Sequence, residues 1–296
     1  MPFSPNALNY ATEYQQALAQ AYPYVLYFAK LYNTENDSRY RWVNAKTIQL
    51  PVLDVAGRKD NNRDSIEAAK RNYNNHWDTK TLENERTWST LVHPEDINET
   101  NYVASIENIT KVMNEEQKFP EKDRYLVSKV YADYVAASGI VSNTVPTVEN
   151  ILSLFDEQMA AMTNARVPKQ GRLLYLTTAM NRLLKQAVTR YTANGDENIK
   201  RIIATIDEVE IIEVPLDIMF TAFDFTEGSV KDSSAKQINW LLIHPSAIIT
   251  PEKYSFASLD QPSAMTQGKF YYYEESHEDV FILNRRIGGI QFNVSA

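Results

Sequence analysis

The stretch from Thr81 to Tyr134 constrains the fold more than any other part of the chain. It opens with a strongly polar, extended segment, TLENERTWSTLV, that ends at His93-Pro94. Glu95, Asp96 and Glu99 follow, where negative charge complements the positive end of a helix without any metal. Thr100 is the expected cap of a long helix whose apolar face holds Val103, Ile106, Ile109 and Met113. Phe119-Pro120 is expected to interrupt that helix. A second helix then carries Val127, Val130, Tyr131, Tyr134 and Val135, with Gly139 where a C-terminal cap belongs. Nothing in this block has the pattern of a reaction centre; it joins a reaching strand segment to a rigid spine.

The 296 residues suffice to bury a sizeable core, and 44% apolar with 23% charged residues describes a folded chain. Tyrosine is unusually frequent at 18 residues, which suits surfaces that alternate between wet and buried, such as subunit contacts or a sugar-binding face. With only 8 glycines the chain has no Gly-rich phosphate loop, and Gly288-Gly289 reads as a turn. The absence of cysteine excludes disulfides, thiolate metal sites and a Cys nucleophile. The N-terminal residues do not read as a signal peptide, and no apolar run is long enough to span a bilayer, so no membrane partner is expected. A net charge of −8 gives no global attraction to nucleic acid. The basic run Lys169, Arg172, Arg182, Lys185 and Arg190 reads as the solvated face of a helix.

Residues 7–22 carry Leu8, Ala11, Tyr14, Leu18 and Ala21 at helical spacing, and Pro23 separates that helix from the body. Residues 46–53 read as a strand that Pro51 pushes toward a sheet edge. Residues 54–75 are a polar excursion, and strands return at 76–82 and 87–92. Residues 40–92 together predict a long two-stranded projection with a charged tip. An isolated hairpin is barely stable in water, so the projection must rest on another surface. From Ile140 onward helices and strands alternate. Thr147 caps a helix bearing Ile151, Phe155 and Met162; 173–176 is a strand, 209–214 and 238–243 are strands of the buried type, and 178–191 is a helix. The segments 270–274, 280–283 and 290–294 read as antiparallel strands returning to the spine helix.

This order of parts resembles the major capsid proteins of tailed bacteriophages, the Hong Kong 97-like fold. The resemblance extends to short motifs in fixed order: Leu82-Glu83-Asn84-Glu85-Arg86, His93 to Asn101, Phe119-Pro120-Glu121-Lys122-Asp123, Val167-Pro168, Gly171-Arg172-Leu173, and Val209 to Pro215. It covers nearly the whole chain, although each motif alone is weak. It implies an α+β capsid fold in which residues 1–39 form an N-terminal arm and 40–92 an extended loop. Residues 93–139 with 266–296 would form a peripheral domain of spine helix and terminal strands, and 140–265 a mixed α/β axial domain. It implies a structural, non-enzymatic subunit of the virion, assembled in the host cytoplasm into pentamers and hexamers of an icosahedral head around double-stranded DNA. Partners would be other copies, a scaffolding protein, and portal and head-completion proteins, with DNA contacted only non-specifically. A separate scaffold is implied because the chain starts almost at the arm, unless maturation removes a segment. Lys59 and Lys70 lie where some members cross-link, but no covalent bond is assigned to them. An encapsulin-like nanocompartment shell is the alternative within the fold, and a soluble hydrolase or carbohydrate-binding protein the alternative outside it.

Against an enzyme, no His pair, H-E-x-x-H or G-x-S-x-G pattern occurs, and pairs such as Glu115/Glu116 and Asp207/Glu208 suit helix ends and hairpin turns. His76, His93 and His244 read as structural. Glu274 to Asp279, with His277, reads as a charged turn between terminal strands rather than a cation site. No catalytic, cofactor or metal residue is assigned. The expected intersubunit contacts are Arg58, Lys59, Asp60 and Arg63 at the loop tip, Trp77 and Trp88 on its strands, and Glu95, Asp96 and Glu99 at the start of the spine.

Overall fold

Val209–Val214 and Ile238–Ile243 were expected to be buried, and their sheet organises the molecule. The computed structural model describes residues 24–32, 40–44, 46–58, 60, 71–100, 104–192 and 205–295. The helix expected over 7–22, most of the loop tip and Val103 lie outside the described residues. Helices are α1 (Pro94–Glu99), α2 (Ile106–Met113), α3 (Phe119–Ala136), α4 (Ile151–Asn164) and α5 (Thr178–Thr192). The first four strands are β1 (Arg41–Trp42), β2 (Thr47–Val55), β3 (Tyr73–Thr81) and β4 (Glu85–Val92). Next come β5 (Leu173–Thr177), β6 (Thr205–Ile206), β7 (Val209–Val214), β8 (Phe223–Asp224), β9 (Val230–Lys231) and β10 (Ile238–Ile243). The last are β11 (Ile248–Ile249), β12 (Glu252–Asp260), β13 (Phe270–Glu278), β14 (Phe281–Ile282) and β15 (Ile290–Val294).

The central sheet has the order β15-β10-β5-β7-β6, with β5 and β7 parallel and the other pairs antiparallel. Every residue of β5 and β10 is buried, as strands covered on both faces require, whereas in β7 only Val209 and Val214 are buried, because its neighbour β6 is a two-residue edge strand. On one face Leu174, Leu176, Trp240 and Leu242 pack with Ile151, Phe155 and Met162 of α4 and Leu184 and Ala187 of α5. On the other, Leu173, Tyr175, Leu241 and Phe292 pack with Leu126, Val127, Val130 and Tyr134 of α3 and with Phe28 and Leu31. The strand expected to return to the spine, 290–294, therefore forms the edge of this sheet, while its Phe292 ring still meets Tyr131 and Tyr134 of α3.

Several local expectations change for identifiable reasons. Thr100 closes α1 instead of opening the next helix: its hydroxyl donates to Asp96 O at 2.6 Å, and Ser105 caps α2 by accepting from Asn108 N. Pro120 does not break the spine. Residues 114–118 form a π-helical segment running directly into α3, and this wider turn includes Glu116, whose carbonyl a proline at 120 would otherwise crowd. The cap of α4 falls at Asn150 rather than Thr147, and the two residues exchange hydrogen bonds in the turn ahead of the helix. Arg172 is not on a solvated face; it is 1% exposed, and its guanidinium donates to the carbonyls of Met159, Val167 and Pro168 around the end of α4.

The projection expected over 40–92 is divided. Its two-stranded part is the β2–β3 hairpin with short β1 alongside, whereas β4 joins β13 and β12 in a separate three-stranded sheet. Leu82 sits in a small core with Ile48, Leu50, Ile249 and Phe281, and Glu83 N donates to Asp279, so the chain turns away from β2 at that point. Pro51 lies beyond the two residues of β2 that pair with β1, where its missing N–H faces no strand on that side. Glu274 to Glu278 is not a turn; it continues β13, which is paired on both sides as far as His277.

At the end of α3, Gly139 N donates to Tyr134 O and Ser138 N to Val135 O, with Ser138 at φ 62°. The left-handed position is thus Ser138, and Gly139 is needed for another reason: a Cβ there would fall 2.5 Å from the Tyr134 ring. Gly139→Ala should destabilise the protein by about 1–3 kcal/mol, and Ser138→Gly should stabilise it by about 0.5–1 kcal/mol. Urea midpoints of the two variants check both signs.

Asp123 of α3 is fully buried and accepts hydrogen bonds from Tyr24 Oη at 2.6 Å, Tyr27 N at 2.8 Å and Phe28 N at 3.3 Å. It thereby holds residues 24–28 on the spine. Burial raises its carboxyl to about 6 even though these donors favour the charged form. A raised acid contributes stability that is fully present below about pH 4 and lost as pH rises through about 6, at most about 3 kcal/mol. The stability difference between wild type and Asp123→Asn should change across that window and be flat above it. Denaturant midpoints at pH 4 to 8 give the measurement, and a pH-independent difference would contradict it.

Candidate functional site

The β2–β3 hairpin is in register from Thr47 opposite Thr81 to Val55 opposite Tyr73. Opposed residues share a face and faces alternate along a strand, so Pro51, Leu53 and Val55 lie on one side with Trp77, Asn75 and Tyr73. Leu53 is 58%, Val55 65%, Tyr73 53% and Trp77 47% exposed. The opposite side carries Ile48, Leu50, Asp54, His76, Asp78 and Lys80. Ile48 and Leu50 are buried at the hairpin base. Further out, Asn284 donates to Asp78 at 2.9 Å and accepts from Lys80 at 3.1 Å, while Arg285 pairs with Asp54. The Arg285 hydrogen bond, helped by His76, holds the Asp54 carboxyl below the usual carboxylate range.

The body therefore grips the hairpin by its polar side, and the apolar side is turned away from that grip. Fully burying a side chain of this kind contributes roughly 1.5–3 kcal/mol. These four are about half exposed, so a surface covering them all would gain on the order of 3–5 kcal/mol.

The expected contact residues fall in three places. Trp77 lies on the bare apolar face; Arg58 and Asp60 are exposed beyond the end of β2; Lys59 and Arg63 lie outside the described residues. Trp88 belongs to the other sheet, on β4, with its ring centroid 5.7 Å from that of Tyr272. Glu95 and Glu99 are exposed and Asp96 half-buried on α1. Leu53, Val55 and Tyr73 were not anticipated. Their signal was the alternation at positions 51, 53 and 55, which the polar residues from Asp54 onward obscured.

The landmark residues of the resemblance act as fasteners. Arg86 of β4 makes a two-pronged ion pair with Glu121 of α3, at 2.6 and 3.0 Å, and also donates to the Gly228 carbonyl of the β8–β9 loop. Lys118 and Lys122 reach from the spine to Glu274 and Glu278 of β13 at 3.0 and 2.7 Å. The histidines have structural partners. His93 and His244 each accept from the N–H two residues on, opening a helical turn at a following proline. Burial pushes the His244 imidazole down, and His277 pairs with Glu275 at 2.7 Å. Among the described residues no group of three or more His, Asp or Glu is placed to hold a metal ion, and no helix is long and apolar enough to cross a membrane.

No family model matches the sequence, and no curated protein does. Solved structures do. The mature capsid of bacteriophage PhiM1 superposes with a TM-score of 0.67 at 10% identity, covering 97% of this chain and 92% of that one. The capsid of Cyanophage P-SCSP1u gives 0.64 at 11% identity, covering 97% and 93%. The head of Helicobacter pylori bacteriophage KHP40 gives 0.62 at 12% identity, covering 96% and 95%. Near-complete coverage in both directions means that the whole architecture is shared: the chain has the fold of these phage capsid and head structures.

Proposed function

We propose that this chain is the major capsid protein of a tailed-phage head, a structural subunit whose activity is assembly with copies of itself. The observation that carries this reading is the apolar side of the β2–β3 hairpin, bare in one chain whose polar side is already tied to its own body. The likeness to phage capsids over nearly the full chain supports it.

In this reading the hairpin lies across a neighbouring copy, with Trp77 at the contact and Arg58, Lys59, Asp60 and Arg63 at its tip. Glu95, Asp96 and Glu99 form an acidic contact at the start of the spine, and Trp88 braces the adjoining sheet. The five-stranded sheet gathers around the symmetry axes of pentamers and hexamers, while the spine and the three-stranded sheet form the periphery. Scaffolding, portal and head-completion proteins complete the head, which forms in the host cytoplasm. The acidic chain, at net −8, contacts packaged double-stranded DNA only non-specifically.

A single contact of about 4 kcal/mol corresponds to a millimolar dissociation constant. Several such contacts closed by symmetry hold a shell together while misplaced subunits still detach.

The triple variant Leu53→Asp, Val55→Asp, Trp77→Ser changes only exposed positions. It should fold with stability within about 1 kcal/mol of wild type. Wild-type protein should form megadalton particles by size exclusion and electron microscopy, and the variant should remain as free subunits or small oligomers. Normal particles from the variant would overturn the role given to the hairpin.

A further inference from the structure

Strand β12 is the open edge of the sheet β12-β13-β4, and among the described residues no strand pairs with its far side. It is nine residues long, and all but Ser258 are exposed. A long bare edge is a template for another strand, so folded proteins guard it with charge, proline or a bulge. The other long edges of this chain are guarded or lined. Pro51 interrupts β2, and β3 carries His76, Asp78 and Lys80. The residues of β4 line a groove beside α2. On β12 the guards stand only at the ends. Glu252, Lys253 and an irregular register between residues 252 and 254 occupy one end, and Asp260 the other. The six residues between, Tyr254 to Leu259, include no charge, proline or glycine. Tyr254, Phe256 and Leu259 are 43%, 43% and 44% exposed.

A strand that pairs here must itself offer a bare, uncharged edge, and β12 of a second copy does so. Two copies of β12 can meet antiparallel about a two-fold axis normal to the sheet. Such an axis leaves each sheet face on its own side, so opposed residues must come from the same face. An axis through Ala257 meets that condition. It opposes Phe256 with Ser258, Ser255 with Leu259 and Tyr254 with Asp260 across the two copies. Large side chains then face small ones, and the Tyr254 hydroxyl can donate to the Asp260 carboxylate.

We propose that β12 pairs with β12 of a second copy about a two-fold axis at Ala257, joining two three-stranded sheets into one of six strands. This pairing rests on the shell reading. A single strand buries well under the roughly 1,000 Å² of a stable interface, so the contact closes only among subunits already held in a particle.

The cysteine-free chain lets single substitutions report the axis. Ala257→Cys changes an exposed position and should leave folding intact. In particles under mild oxidation it should give dimers, and no larger species, on non-reducing gels, because the two Cβ atoms would lie about 5 Å apart. Ser255→Cys would hold its two thiols roughly 14 Å apart, four residues along the strand, and should cross-link at least tenfold less. In the unaltered chain, hydrogen exchange over residues 254–259 should slow at least tenfold from free subunits to particles. Particles in which Ala257→Cys stays reduced, or in which Ser255→Cys links equally well, would overturn the pairing, as would unchanged exchange. Slowed exchange without the Ala257→Cys dimer would place a different strand on this edge and overturn self-pairing while leaving the shell reading intact. Failure of the unaltered chain to form particles would overturn the shell reading and this pairing with it.

Discussion

A sheet that is apolar on both faces must be covered on both sides, and this demand sets how the rest of the chain is used. Leu174, Leu176, Trp240 and Leu242 take the inner faces of α4 and α5, while Leu173, Tyr175, Leu241 and Phe292 take that of α3 together with Phe28 and Leu31. Apolar surface that stays exposed in the described chain includes the hairpin face of Leu53, Val55, Tyr73 and Trp77, and Tyr254, Phe256 and Leu259 on β12.

The periphery is fastened differently. Arg86, Lys118 and Lys122 bridge strands and spine through partly exposed ion pairs, and the hairpin is tied by Asn284 and Arg285. The geometry of these pairs fixes the position of β4 and β13 against the spine, the two-pronged Arg86–Glu121 pair most strictly. Stability comes mainly from the central sheet and its helices, with Asp123 as the one buried carboxylate that joins residues 24–28 to the spine. Such a division lets outward elements adjust against a partner without unfolding the core.

What the sequence made legible follows the same division. Ile238 to Ile243 was readable as a buried strand because both of its faces are apolar, which leaves no register to guess; Val209 to Val214 read the same way, but its middle residues stay partly exposed beside the short edge strand β6. The turn that leads into α4 was readable because Thr147 and Asn150 act locally. Pairing of β4 was not, since its partner β13 lies some 180 residues away and the adjacent β3 looked equally suitable. Pro120 misled because a π-helical turn absorbs it, a solution set by packing along the spine. Gly139 was placed correctly at a helix end, but its role comes from the Tyr134 ring rather than from its own backbone. At the candidate site Trp77 was identified as an exposed aromatic, whereas Leu53, Val55 and Tyr73 emerge as its companions only once β2 and β3 are in register. Arg86, Glu121 and Asp123 were visible as motif residues with no role, because each role depends on a partner distant in sequence.

The central claim is that the hairpin's apolar face is covered by another copy. Hydroxyl-radical footprinting of free subunits and of assembled particles tests it at the residues concerned. Labelling of Leu53, Tyr73 and Trp77 should fall strongly on assembly, while that of Met265, which is 95% exposed and far from the hairpin in sequence, serves as the reference. Equal labelling of the hairpin face in both states would contradict the account.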